Sequence, residues 1–246
     1  MEPLSDTFLA TCRRYQGRIL RGENMSRIET FVDAAFAFAF TMLVISIDEV
    51  PQSPPELFVL SRDIPAFLLS ATLIGSVWMA HAIWSRTFGL QDGVTIYLSL
   101  GLVMLVLIFV YPIKLISQAT VVHLSDGRLG MEVFDNSGWE NTGIADLFLY
   151  FSVGFIFLSL LIMALYLNSL RFKKQLRLNI IEIQFCHRMI VSCSAVTVVA
   201  ISSCIIAMVA EDNIEIAGYV YFLLFILIPV ITRNCNRYFT DQVQLN

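Results

Sequence analysis

Apolar residues in this chain come in long unbroken runs rather than in strict alternation. Six of these runs approach or exceed the roughly 17–25 residues that cross a bilayer as a helix. They fall at about 31–47, 64–84, 94–117, 146–167, 189–209 and 216–232. The first reads FVDAAFAFAFTMLVISI, the second IPAFLLSATLIGSVWMAHAIW, and the third opens VTIYLSLGLVMLVLIFVYP. The pattern predicts an all-α, polytopic membrane protein with six transmembrane helices per subunit, its membrane domain spanning 31–232. A basic segment, 1–30, precedes that domain and a short tail, 233–246, follows it. Residues 118–145 form the one long connection and are rich in turn formers. Residues 7–21 mix basic and apolar positions, the pattern of an interfacial helix ahead of the first span.

Composition agrees with this reading. Of 246 residues, 57% are hydrophobic and only 15% charged, too little polar surface for a soluble domain of this length. A net charge of −4 gives no reason to expect a nucleic-acid partner. The charges are instead sorted by connection. Arg13, Arg14, Arg18, Arg21 and Arg27 precede span one, Arg86 follows span two, Arg171, Lys173, Lys174, Arg177 and Arg188 lie between spans four and five, and Arg233 and Arg237 close the chain. These are thirteen of the sixteen basic residues. The other side keeps Arg62, Lys114 and Arg128 and collects Asp48, Glu49, Glu56, Asp63, Asp126, Glu132, Asp135, Glu140, Glu211, Asp212 and Glu215. The excess of Lys and Arg on one side predicts that both termini are cytoplasmic, with loop 118–145 outside and the protein multi-pass in the cell (plasma) membrane. An even number of spans requires the same. No cleavable leader is expected from residues 1–26. Cys12, Cys186, Cys193, Cys204 and Cys235 show neither C-x-x-C spacing nor a histidine cluster, so no disulfide framework, metal centre or cofactor is expected.

Candidate chemistry concentrates in span one. At 100° per residue, Ala34, Phe38, Thr41 and Ile45 share one face, with Met42 at its edge. Phe36, Phe40, Leu43 and Ile47 make the opposite stripe, and Asp33 lies on a flank. Thr41 sets a hydroxyl amid apolar side chains, and its plain reading is a bond back to the carbonyl one turn earlier. Asp33 is either an interfacial cap or ion-pair partner, for instance of Arg27, or a functional carboxylate. In span two, Trp78 and His81 share a face at about the depth of Asp33. A carboxylate and an indole N–H are natural partners for such a histidine, although an interfacial position beside a belt tryptophan is the plain alternative.

The stretch Arg27-x-x-x-Phe31-Val32-Asp33-x-x-Phe36-Ala37-x-x-x-Thr41-x-Leu43 resembles the first-helix signature of the prokaryotic relatives of transmembrane protein 175, a lysosomal potassium channel. Trp78-x-x-His81 matches that family's W-x-x-H in helix two, and YLSLGLVMLVLIFVYPIKLI, with Pro112, is similar to its third helix. The likeness covers residues 27–117; beyond them it is topological. It implies a homotetrameric, potassium-permeable cation channel whose pore is lined by the first helix of each subunit. By the same resemblance Phe38, Met42 and Ile45 would form a hydrophobic gate, Thr41 an ion-coordinating layer, and Arg27, Asp33, Trp78 and His81 an inter-helix network. Partners are then potassium ions, the lipid bilayer and further copies of the chain. Two departures stand out: Val32 replaces the signature serine, and Phe38 replaces a branched aliphatic, so four phenyl rings would make a bulkier, drier plug.

Two other classes compete. A proton-coupled carrier would use Asp33 and His81 as a relay, and a non-conducting membrane assembly protein would keep the Phe38 plug shut. An enzyme is not expected, because nucleophile, base or metal ligands do not converge within the spans.

Overall fold

In the computed structural model, residues 3–45, 51–130, 141–209 and 215–244 are described. Within them the chain order is α1 (Asp6–Thr11), β1 (Arg14–Tyr15), β2 (Arg18–Ile19), α2 (Arg27–Ile45), α3 (Pro54–Ser61), α4 (Ile64–Phe88), α5 (Gly93–Leu124), α6 (Asn141–Arg171), α7 (Ile180–Val209), α8 (Glu215–Tyr219), a 3-10 turn (Val220–Leu223) and α9 (Leu224–Gln244). Six stretches are helical, long and apolar enough to cross a bilayer: Arg27–Ile45, Ile64–Phe88, Gly93–Leu124, Ala145–Arg171, Ile180–Val209 and Glu215–Cys235.

Local chemistry fixes where these helices begin and end. Ser26 and Glu29 form a capping box at the start of α2, Glu29 N–H donating to Ser26 Oγ (3.2 Å) and Ser26 N–H to Glu29 Oε2 (3.4 Å). Asn179 and Glu182 repeat the device at α7, with both bonds at 2.9 Å. Each box satisfies two backbone donors that a helix start leaves open. Asp92 caps α5 by accepting from Val94 N–H, and α4 stops at Gly89 in the left-handed conformation (φ 59°).

The spans pack in chain order: α2 against α4 and α5, α5 against α6, α6 along α7, and α9 on α7. Trp84, Phe88, Leu102, Leu165 and Tyr166 form the buried centre. Gly154 on α6 admits the Phe109 ring so closely that a Cβ there would lie 1.9 Å from a ring carbon. Span six is held by a buried hydroxyl chain. Tyr221 Oη donates to Ser152 Oγ (2.8 Å), Ser152 to Ser203 Oγ (3.1 Å), and Ser203 to the Ala217 carbonyl (2.8 Å).

Cross-links define two rims. At the basic rim Arg21 N–H and Gly22 N–H donate to the carbonyls of Thr87 and Arg86 (3.4 and 3.0 Å), strapping the N-terminal segment over the end of α4. A Cβ on Gly22 would stand 2.3 Å from the Ser85 carbonyl oxygen, so the strap requires glycine there. At the acidic rim Gln118 Nε2 donates to both oxygens of Asp63 at 3.0 Å. His123 there meets Tyr219 Oη at 2.5 Å.

Several elements differ from the hydropathy reading. Residues 7–21 do not form one interfacial helix: α1 ends at Thr11 and a two-residue hairpin follows. Gln16 and Gly17 both have positive φ (50° and 77°), the type I′ geometry that reverses a chain in two residues. Helix α5 runs to Leu124, into the segment read as loop 118–145, and α6 starts at Asn141. The middle of that loop, with Glu132, Asp135 and Glu140, lies outside the described residues. Helix α7 starts at Ile180 rather than 189, and the 233–246 tail is helical through Gln244. Polar residues such as Glu182, His187 and Arg188 depress mean hydropathy without breaking a helix, so the helices outlast the hydrocarbon. Thirty-two residues rise about 48 Å against a core of about 30 Å. The last span is likewise not one helix, because the 3-10 turn interrupts it. Ile47, Asp48, Glu49, Glu211 and Asp212 also lie outside the described residues.

Candidate functional site

Helix α2 is covered by the rest of the chain on one side only. Glu29, Val32, Phe36, Ala39 and Leu43 are buried against α4 and α5. Arg27, Thr30, Phe31, Ala34, Ala37, Phe38, Thr41, Val44 and Ile45 are all exposed. At 100° per residue these exposed positions fill one arc of about 140° centred on Ala34. Phe38 is 56% and Ile45 67% exposed, while Met42 is half-buried on the edge of the arc. The face singled out by periodicity is therefore not packed within its own subunit.

Thr41 reconciles its two readings. Its hydroxyl donates to the Ala37 carbonyl at 3.0 Å. A hydroxyl that spends its proton on the helix keeps its lone pairs for a cation. Back-bonding thus leaves the oxygen's lone pairs open and does not by itself disqualify it as a ligand.

Behind this face, α4 acts as a spine with three polar rungs. Trp78 Nε1 donates to Asp33 Oδ1 (2.8 Å), joining α4 to α2. His81 Nε2 pairs with Ser99 Oγ (3.0 Å), joining α4 to α5. Trp84 Nε1 donates to the Leu165 carbonyl (3.0 Å) and to Ser169 Oγ (2.8 Å), joining α4 to α6. The rungs are three residues apart and fan around the helix. Asp33 and Trp78, expected as partners of His81, bond to each other instead, and His81 turns to Ser99 for its hydrogen bond. Arg27 is exposed on the bare arc and makes no ion pair with any of the described residues.

Sequence reasoning missed a second centre, at the basic rim. Arg21 and Glu182 form a bidentate pair (2.8 and 2.9 Å) with side chains 1% and 0% exposed. Glu182 also accepts from Ile19 N–H (2.7 Å) and Asn179 N–H (2.9 Å), and Arg21 Nε donates to the Leu176 carbonyl (3.0 Å). The Asn179-x-x-Glu182 capping box was the available signal. Asp92, nearby, shows how the rim tunes its charges. Burial raises its pKa, but hydrogen bonds from Thr95 and Asn168 more than offset this and leave it below the ordinary aspartate value. Among the described residues, no group of three His, Cys, Asp or Glu is placed to hold a metal ion.

A bundle of six membrane helices, one of them bare along a stripe bearing a hydroxyl, defines a polytopic membrane protein with an unfilled helix-one face. Residues 27–112 match the family model described as the endosomal/lysosomal potassium channel TMEM175. A protein of Marivirga tractuosa named as a potassium channel is 30% identical over 210 residues, 82% of this chain and 84% of its own length. The crystal structure of a variant of the potassium channel MtTMEM175, in complex with a nanobody–MBP fusion, superposes with a TM-score of 0.78 at 26% identity, covering 91% of this chain and 99% of that one. The chain belongs to the TMEM175 family.

Proposed function

We propose that the chain is the subunit of a potassium-permeable channel, most simply a homotetramer, in which the bare arc of α2 lines a central pore. The observation that carries this reading is that Phe38, Thr41 and Ile45, three of the four positions matched to a pore, are left uncovered, with Met42 half-buried at their edge, while the opposite face of the same helix is buried. The names of the relatives support potassium as the ion. In this reading Phe38, Met42 and Ile45 form apolar rings that gate by excluding water, because an ion entering a dry neck loses its shell. The outward lone pairs of Thr41 replace part of that shell, which favours the more easily dehydrated potassium over sodium. Asp33 and Trp78 hold α2 to α4, His81 holds α4 to α5, and Arg27, exposed on the arc, is placed to meet a neighbouring subunit. The distribution of Lys and Arg supports an orientation with both termini in the cytoplasm.

A carrier built on a direct Asp33–His81 relay is less well supported, since the two side chains hydrogen-bond to different partners. Flux measurements on purified protein in liposomes decide the matter. Potassium should run down its gradient with no proton gradient, Phe38→Ala should raise the flux, and Thr41→Ala should change the potassium-to-sodium ratio. If both variants permeate like the parent, the pore face has been misplaced. Saturable flux that demands a proton gradient would mean a carrier.

A further inference from the structure

Three buried side-chain atoms among the described residues have no hydrogen-bond partner: Arg18 Nη1, Tyr166 Oη and Gln175 Oε1. Arg18 and Tyr166 converge on one ring. The Arg18 guanidinium lies 4.3 Å from the centroid of Phe185, and the Tyr166 ring meets Phe185 edge-on at 5.6 Å. Arg188 brings a second guanidinium to 5.3 Å from the same ring. Arg18 is 8% exposed and Tyr166 is fully buried. Burial lowers the pKa of Arg18, and Tyr166, Arg188, Tyr15 and Glu182 act on it through space.

Glu182 is the carboxylate that acts on Arg18, and it is already saturated. Its two oxygens take four donors: Ile19 N–H and Arg21 Nη1 on one, Arg21 Nη2 and Asn179 N–H on the other. A carboxylate offers about four lone-pair sites, so none remains for Arg18. A buried guanidinium nitrogen such as Arg18 Nη1 carries a desolvation cost when it has no acceptor, and a native protein rarely leaves one so. An orphaned hydroxyl beside it asks for the same kind of partner, an acceptor, and a negatively charged one satisfies both best.

We propose that Arg18 Nη1 and Tyr166 Oη are the donors of an oxyanion site between the N-terminal hairpin and the α6–α7 pair, with Arg188 at its flank. The ligand is a phosphate group. Tyr166 lies five residues before the end of α6 and Phe185 five after the start of α7, which is about 7.5 Å in from the helix ends. That is the depth of lipid headgroups at a membrane rim, so an anionic lipid phosphodiester and free inorganic phosphate are the two sources to separate. The inference does not depend on the pore reading, since no residue of α2 takes part.

The test uses the full chain, delipidated in detergent, with its thermal unfolding midpoint followed against two probes. One is inorganic phosphate, compared with sodium chloride at equal ionic strength. The other is short-chain phosphatidylglycerol, compared with phosphatidylcholine. A saturable rise in midpoint is expected. Arg18→Gln should raise the half-saturating concentration at least tenfold and Tyr166→Phe severalfold, while Arg13→Gln, exposed on the same segment, should leave it alone. Response to inorganic phosphate identifies a free-anion site; response to phosphatidylglycerol alone identifies a headgroup site. If neither probe acts saturably, or if the response survives both substitutions, the orphaned donors hold only water and the proposal falls. Should Arg18→Gln fail to fold, Tyr166→Phe decides by itself, and an unchanged half-saturation would overturn the assignment.

Discussion

Replacing Glu182 by glutamine keeps the side chain's shape and removes its charge. The parent carboxylate accepts four hydrogen bonds between 2.7 and 2.9 Å, two of them from Arg21. An amide in the same place sets its NH2 against two donors on one side and leaves the Arg21 charge without a counter-ion. Removing one partner from a buried ion pair costs about 3–5 kcal/mol. The hydrogen bonds give the same range independently, since two charge-assisted bonds are worth about 1.5–3 kcal/mol each. For a chain of this size such a loss corresponds to a fall of roughly 6–20 °C in the unfolding midpoint. Denaturation of the purified chain in detergent, read by tryptophan fluorescence, measures it. A cycle with Arg21→Met, Glu182→Met and the double variant sharpens the test. The double should be less damaged than the sum of the singles, because it strands no buried charge. It should not recover fully, because the Ile19 and Asn179 N–H groups still lose their acceptor. A loss below about 1 kcal/mol, or additive singles, would mean that the pair behaves like a hydrated surface pair and that the clamp is not closed to water. Only residues 22–26 separate Arg21 from α2, so a slackened clamp should also alter potassium flux at temperatures where the variant is folded.

Two further outcomes follow from the same geometry. Trp78→Phe removes the indole donor that holds Asp33 (2.8 Å) and should cost about 1.5–3 kcal/mol; His81, bonded to Ser99, should not compensate, and a near-neutral midpoint would show that the rung carries no load. Asp92 has a folded pKa below its unfolded value, so its contribution is complete above the unfolded pKa and is lost as pH falls through the folded one. The unfolding midpoint should therefore drop on the acid side of the ordinary aspartate range, and Asp92→Asn should flatten that part of the profile.

Much of this architecture was legible in the chain because the bilayer imposes a long, simple signal. Runs of apolar residues mark the spans, and the 100° repeat places Ala34, Phe38, Thr41 and Ile45 on the face that the fold leaves bare. Asp33 and Trp78 were visible as polar residues at one depth. What stayed hidden depends on contacts that leave no local trace. Ser99 sits in a run of leucines and nothing in its surroundings marks it as the partner of His81. Arg21 and Glu182 are 161 positions apart; one looked like any arginine of a basic tail, and the other fell before the point where hydropathy began the span. The hairpin was hidden by the mixed pattern of residues 7–21, where Gly17 is the one residue suited to positive φ and Gln16 adopts it against its usual preference.

Apolar surface is uncovered on every span, and the chemistry of two of them, α9 and α2, sets these two apart from each other. Phe225, Ile226, Leu227, Ile228, Pro229 and Val230 of α9 are exposed one after another, so over that stretch the helix, although seated on α7, offers apolar side chains all round. Lipid tails solvate such a surface as well as protein does, and it asks for no partner. Helix α2 is bare over one arc alone, and that arc carries Ala34, Ala37 and two threonine hydroxyls among its apolar members. Alanines and threonines give lipid little to pack against, but they let helix backbones approach closely, as at interfaces between membrane helices. A hydroxyl facing hydrocarbon gains nothing, whereas one facing an axial water column has both solvent and ions to bind. The contrast argues that α9 meets the bilayer and α2 meets an axis. It also accords with the Trp78 rung fastening α2 from the α4 side, which leaves the arc open for the assembly proposed above.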